Sequence, residues 1–296
     1  MKRKIDPVLR AALIVFCCAA AAVLALLLFR PAGPDDSAYP VTVHFIDVGQ
    51  GDATLIRTPE GDILIDAGSN LSEESLTVYL DSLGVTHLDL LVLTHLHEDH
   101  IGGADAVLSL LDVDTLVMPE ASDEDRDTVV SRRMKDHVKS GTQIRTVTEA
   151  TEFKGGTVDV IILPTGAGGS EGNASSLVVR VSTVDTAFLI MGDTEMEGED
   201  ALLAEYGGTG LLGASVLRVG HHGSSTSTGG SFLDTVAPDA AVISVEAGNS
   251  YGHPTERVLS ALRDRGITVY RTDLDGTVVL GTDGKTVVRI APDGEK

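Results

Sequence analysis

From Val41 onward, short apolar runs rich in β-branched residues alternate with stretches of helical spacing, the pattern of a mixed α/β domain. Strands are predicted at Val41–Asp47, Ala53–Arg57, Asp62–Asp66, Leu88–Leu93, Thr115–Met118, Val158–Leu163, Ser176–Val181, Thr186–Met191, Ser215–Val219, Ala240–Val245, Ile267–Arg271, Gly276–Leu280 and Thr286–Ile290. Helices are predicted at Ser72–Leu83, Gly103–Leu111, Glu124–Lys139, Glu195–Glu205 and Pro254–Asp264, the last with Pro254 in its first turn and Arg263 and Arg265 near its end. Some strands follow one another as hairpins and others are separated by helices. That mixture favours two mixed sheets over one doubly wound parallel sheet, and no repeat of 20–50 residues interrupts it.

The N-terminal pattern is of another kind. Ala11 to Phe29 is an unbroken apolar run of 19 residues, close to the ~20 that a helix needs to cross a bilayer, and Lys2, Arg3, Lys4 and Arg10 precede it. The basic flank belongs on the cytoplasmic side, so a single-pass membrane anchor with an extracytoplasmic remainder is expected. The run exceeds the core of a signal peptide, and Arg30-Pro31 stands where cleavage would need small residues. The expected organisation is an anchor at 1–30, a stiff linker at 31–40 and one catalytic domain at 41–296.

Charge and composition narrow the chemistry. The formal net charge is -22, and the first 30 residues hold five basic side chains against one acidic, so the remainder carries -26. Such a field opposes passive nucleic-acid binding through a basic surface. Cys17 and Cys18 both lie in the apolar run, which excludes a disulfide framework or a Cys-rich zinc module from the domain. Without Trp and with only 4% aromatic residues, little material is left for a platform that stacks bases. Any metal here must be held by His and carboxylate.

Those ligands are concentrated at strand ends. The apolar strand Leu88–Leu93 runs into Thr94-His95-Leu96-His97-Glu98-Asp99-His100, followed by Ile101-Gly102-Gly103. In extended backbone, residues two apart point to the same side, so His95 and His97 can grip one ion while Asp99 and His100, past the turn, face a second. Imidazole and carboxylate suit zinc, manganese or iron. The glycine pair permits a tight turn into the next helix. Asp66, Asp193 and the His221-His222 pair each end another apolar strand, the usual place for functional groups on a rigid scaffold.

With these residues in view, the chain resembles the metallo-beta-lactamase superfamily, whose signature is H-x-H-x-D-H with outlying Asp and His ligands. Within it, the resemblance is to the hydrolase domain of ComEC-type competence (DNA-uptake) proteins. It covers about residues 41 to 290, through His44-Phe45-Ile46-Asp47-Val48-Gly49-Gln50-Gly51-Asp52-Ala53, Asn173-Ala174-Ser175-Ser176-Leu177-Val178, His221-His222-Gly223-Ser224 and Tyr251-Gly252-His253-Pro254. The resemblance implies a four-layer αββα sandwich with two divalent metal ions, zinc or manganese, at one edge between the sheets. It implies His95 and His97 on the first ion, Asp99 and His100 on the second, and Asp193 bridging them. Of the pair, His222 is expected as the second ion's ligand and His221 as a substrate contact, with Asp66 orienting a ligand histidine. The chain departs from the general pattern in one respect. Many members place a third first-site histidine between the main motif and the bridging Asp, whereas this stretch offers Asn173 and only His137, in a charged helical run. Asp47 or Asp52 could add an oxygen ligand, and Gln50 and Ser224 lie in motifs that could meet metal or substrate.

The implied chemistry is hydrolysis. A phosphodiester, with DNA among the candidates, is the first expected substrate, with charge stabilised by His221, Asn173, Ser224 and His253, and with His253 also placed to protonate a leaving oxygen. A smaller phosphoester, a lactone or lactam, and a non-catalytic metal-dependent binding module are the alternatives.

Overall fold

The structure is a computed structural model that describes residues 38–166 and 171–290. The expected anchor at 1–30, most of the linker and residues 291–296 lie outside these; among the described residues no helix is long and apolar enough to cross a membrane.

The described strands form two mixed sheets. The first contains β1 (Val41–Phe45), β2 (Thr54–Arg57), β3 (Asp62–Ile65), β4 (His87–Val92), β5 (Asp112–Pro119), β6 (Gln143–Val147), β14 (Val278–Thr282) and β15 (Val287–Ile290), in the order β15-β14-β1-β2-β3-β4-β5-β6. The second contains β7 (Thr151–Gly155), β8 (Val158–Pro164), β9 (Leu177–Ser182), β10 (Ala187–Ile190), β11 (Val216–Arg218), β12 (Ala240–Ile243) and β13 (Thr268–Arg271), in the order β13-β12-β11-β10-β9-β8-β7. In each sheet one part is antiparallel, and a parallel part follows: β3 to β6 in the first and β10 to β13 in the second.

The period-two alternation of apolar residues sorts them into layers. On β3, Ile63 and Ile65 face the second sheet while Leu64 faces helices; on β9, Leu177, Val179 and Val181 face inward and Val178 outward. One core therefore lies between the sheets. A second packs the first sheet against helices Glu73–Ser82, Ala104–Leu110 and Val129–Asp136 through Leu76, Leu80, Val107, Leu108 and Met134. A third packs the second sheet against helices Met196–Tyr206, Gly230–Val236 and Glu256–Arg263 through Leu202, Phe232, Leu233, Val258 and Leu262. Each such side chain contributes roughly 1.5–3 kcal/mol on burial. A one-residue slip would turn a whole strand's set the wrong way, so register is tightly held.

The sequence missed β6 and β7. Both are edge strands, and β6 buries only Val147, so neither carries a strong apolar signal. The helix expected over Glu124–Lys139 is broken into Asp123–Arg126 and Val129–Asp136, because the Thr128 hydroxyl accepts the Ser131 amide and starts a new N-terminus. The last expected helix begins at Glu256, so Pro254 precedes it instead of occupying its first turn. The short helix Gly230–Val236 was not expected, although Phe232, Leu233 and Val236 have helical spacing.

Candidate metal centre

Each of the six main expected metal ligands follows the C-terminal end of a parallel strand, where open α/β sheets place their functional loops. Asp66 follows β3 and His95 to His100 follow β4, with His97 as the residue before the short helix Glu98–Ile101 that carries Asp99 and His100. From the second sheet, Asp193 follows β10 and the turn Gly220–Gly223 after β11 carries His221 and His222. Three of these residues hold left-handed backbone, Asp66 at φ 59, His221 at φ 49 and His222 at φ 52. Such conformations cost on the order of 1–3 kcal/mol each and cluster at functional sites. Backbone hydrogen bonds tie the loops together: Ala67 N–H donates to His100 O at 2.7 Å and His221 N–H to Gly192 O at 3.1 Å. The Gly102-Gly103 pair has ordinary helical dihedrals, so turning is not its purpose. A Cβ at Gly102 would meet Asn70 N at 2.2 Å, and one at Gly103 would meet Ala67 O at 2.4 Å, so the glycines let the loops approach.

Asp193 lies at the middle of the buried cluster. Its Oδ1 is 3.2 Å from His100 Nε2 and 3.6 Å from His222 Nε2, and its Oδ2 is 3.9 Å from His95 Nε2 and 3.8 Å from His221 Nε2. Asp99 Oδ2 is 3.3 Å from His222 Nε2 and 4.0 Å from His100 Nε2. His97 is exposed at the mouth, its ring 4.7 Å from that of His95. The inner nitrogens define the tautomers. His100 Nδ1–H donates to Asp66 Oδ2 at 2.8 Å and His222 Nδ1–H to the Ser244 carbonyl at 2.9 Å, both partners being acceptors only. Thr94 Oγ1 spends its proton on Asp66 Oδ2 at 2.7 Å and so accepts from His95 Nδ1 at 3.2 Å. Each ring thus turns an Nε2 lone pair toward a carboxylate, an arrangement of facing acceptors that requires a cation or proton between them. His95 Nε2, His100 Nε2 and Asp193 Oδ1 are buried with no hydrogen-bond partner, the condition expected of atoms that hold a metal. The donor set fits divalent cations.

The electrostatics agree. Burial opposes charge on His100, but Asp193 and Asp66 outweigh it and hold its pKa well above the ordinary histidine value. Burial, with His100 beside it, pushes His95 well below that value. Burial would raise Asp193 and Asp99, yet the surrounding histidines overcome it and keep both carboxyls far below the usual range. The acids stay ionised, and a proton sits where a cation would compete for it.

Behind the cluster lies a residue the sequence reading passed over. Arg218 is 1% exposed, its guanidinium against the Asp52 carboxylate, with one nitrogen donating to Gly192 O at 2.7 Å and another 3.3 Å from His222 Nδ1. Burial lowers its pKa to about 9, so it stays charged at neutral pH. A charged residue inside an apolar strand was the available signal. Asp52, His100, Asp193 and His222 offer ligand atoms within 4.8 Å of one another. Asp52, however, approaches His100 from its Nδ1 side at 3.7 Å and is neutralised by Arg218, so it supports the site from behind.

The remaining expected residues divide. Asn173 Nδ2 reaches 3.4 Å from His221 Nε2, and the His253 ring lies 5.7 Å from the His221 ring, so both border the cluster. Burial and the neighbouring His221 and His222 lower the His253 pKa. Ser224 is buried one step back, against the Thr226 hydroxyl. The structure does not bring Asp47 to the cluster as a ligand, because the residue is exposed and its carboxylate accepts Gly49 N–H at 3.1 Å within its own turn. Gln50 likewise turns its amide oxygen to Glu246 N–H at 3.4 Å. His137 is a surface residue, its ring on the Arg133 carbonyl at 2.8 Å.

This fold and cluster place the chain in a known class. Residues 46–247 match the pattern of the metallo-beta-lactamase superfamily, and the chain belongs to it. ComE operon protein 3 of Bacillus subtilis is 34% identical over 80% of the chain and 32% of its own length. Competence protein ComA of Neisseria gonorrhoeae is 34% identical over 86% of the chain and 34% of its own length. The chain thus spans about a third of these relatives, which are of the ComEC type. The metallo-beta-lactamase fold protein YhfI from Bacillus subtilis shares the fold at a TM-score of 0.51 and 12% identity, over 84% of this chain and 99% of its own. CmlA, a diiron beta-hydroxylase from Streptomyces venezuelae, does so at 0.53 and 13%, over 85% and 54%.

Proposed function

We propose that the chain is a dinuclear-metal phosphodiesterase, held at the outer face of a bacterial membrane, with nucleic acid as its first candidate substrate. The observation that carries this reading is Asp193, whose two carboxylate oxygens each face a separate pair of histidine Nε2 atoms. In this reading His95 and His97 hold one cation, Asp99, His100 and His222 the other, and Asp193 lies between. Such ions supply Lewis acidity, lowering the pKa of water and stabilising charge on an attacked phosphoryl oxygen. Asp66 fixes the His100 ring, Arg218 balances Asp52, and Asn173 offers an amide donor at the mouth.

The choice of phosphodiester draws on the competence-protein relatives and on Tyr251. Its ring is 68% exposed and stacks on His253 at 5.8 Å, giving a flat apolar surface beside the cluster that suits a base. A second reading, a small phosphoester, is favoured by the -26 charge of residues 31–296, which repels a long polyanion although screening limits its reach to about 8 Å. Full-length protein in detergent, supplied with manganese or zinc, should cleave single-stranded DNA and bis-p-nitrophenyl phosphate, and D193N should cleave neither. Turnover of the small diester without any DNA cleavage would select the second reading. Hydrolysis of nitrocefin or a lactone with no diester cleaved would replace both.

A further inference from the structure

We propose that His221 is the third imidazole of the first metal, taking the place of the histidine missing between the main motif and Asp193. The assignment rests on the dinuclear reading above and replaces the substrate contact expected from sequence.

The His221 ring is held from its inner side. Glu195 Oε1 lies 3.1 Å from His221 Nδ1 and Thr226 Oγ1 lies 3.2 Å from it, while the Thr226 hydroxyl donates to the same Glu195 oxygen at 2.9 Å. An ionised Glu195 accepts only, so Nδ1 carries the proton and Nε2 presents its lone pair to Asp193 Oδ2 at 3.8 Å. An anchored inner nitrogen with the outer nitrogen turned to Asp193 is the pattern of His95, His100 and His222 too. It is also how metal-binding histidines are generally oriented, by an outer carboxylate or carbonyl.

The backbone explains how neighbouring residues share one target. In an extended strand, successive side chains point to opposite faces. In the turn Gly220–Gly223 both histidines adopt left-handed dihedrals, and both rings reach the same carboxylate: His222 at Oδ1 and His221 at Oδ2. The division places one ring on each side of Asp193.

The segment around Asn173 completes the picture. A Cβ on Gly172 would come 3.0 Å from His97 Nε2, and Asn173 Nδ2 lies 3.4 Å from His221 Nε2. The stretch that supplies no histidine thus packs against His97 on one side and His221 on the other.

The test is metal stoichiometry in the full chain, read by native mass spectrometry and by manganese titration followed with electron paramagnetic resonance. Wild type is expected to take two equivalents and show a spin-coupled manganese pair. H221A is expected to keep one equivalent, with the other weakened at least tenfold and the coupling lost. E195A, at a half-exposed position, is expected to keep both equivalents with one weakened about tenfold. If H221A does not fold, E195A carries the test alone. Two equivalents at wild-type affinity in H221A, or unchanged affinities in E195A, would overturn the assignment and leave the dinuclear reading standing. Fewer than two equivalents in wild type would overturn both.

Discussion

Replacing Asp66 by Asn should separate metal binding from folding. The carboxylate is fully buried and accepts three hydrogen bonds, from Thr94 N–H and Thr94 Oγ1–H at 2.7 Å each and from His100 Nδ1–H at 2.8 Å. Asn keeps one oxygen for the Thr94 amide and tolerates the left-handed backbone at φ 59 better than most residues. Its NH2, however, meets His100 Nδ1 as a donor. The ring must then accept there and move its proton to Nε2, the atom facing Asp193. Folding should lose only about 1 kcal/mol, since charged hydrogen bonds become neutral ones. Metal affinity should fall about 10–100-fold, which is about 1.4–2.7 kcal/mol. D66A instead strands three buried donors and should destabilise the fold by at least about 3 kcal/mol. Chelator-competition titrations would give the affinity, nitrogen-15 spectra the His100 tautomer, and urea melts the stability. A D66N protein that binds metal as tightly as wild type, with Nε2 still unprotonated, would refute the reasoning.

The buried pair Asp52–Arg218 is expected to be strongly coupled: R218M alone should cost about 3–5 kcal/mol by stranding a carboxylate, and adding D52N should restore at least ~1 kcal/mol in urea melts. No recovery in the double variant would show the pair to be independent. A divalent ion at 100 times its Kd should stabilise the protein by about 2.7 kcal/mol, so EDTA should lower Tm by about 5–10 °C in calorimetry. His87 at the far edge has its pKa raised by a hydrogen bond to Asp114, with Asp89 adding to it. A raised histidine pKa stabilises fully below the unfolded value and is lost as pH rises through the folded one. H87Q should therefore narrow the difference in stability across about pH 6 to 8, by under ~1 kcal/mol because the groups are exposed, and an unchanged pH profile of melting would contradict this. G102A, whose Cβ would meet backbone at 2.2 Å, should push the Asn70 and His97–His100 loops apart and weaken metal binding in the same titrations.

The layered fold was legible because buried strands announce themselves. Leu90–Leu93 and Phe188–Met191 are apolar throughout, and each ends in a polar cluster. The edges were not legible: Gln143–Val147 faces solvent along most of its length, and its pairing to β5 is a property of the sheet. At the site, residue types and strand ends pointed to His95, Asp99, His100, Asp193 and the histidine pair. What no pattern could supply was direction. Asp47 and Asp52 share one motif, yet one caps a surface turn and the other neutralises a buried guanidinium. Likewise the inner-nitrogen partners Asp66, Ser244 and Glu195 come from stretches apart from His100, His222 and His221 and meet them only in the folded chain.

The centre draws His95 to His100 from one sheet's loops and Asp193 to His222 from the other's. A cation seated there is therefore a rivet through both halves of the sandwich, and neither half owns a complete socket. During synthesis the socket cannot exist until position 222 has been laid down and folded against residues made more than a hundred positions earlier. Loading with metal is in this sense a certificate that the two halves have met.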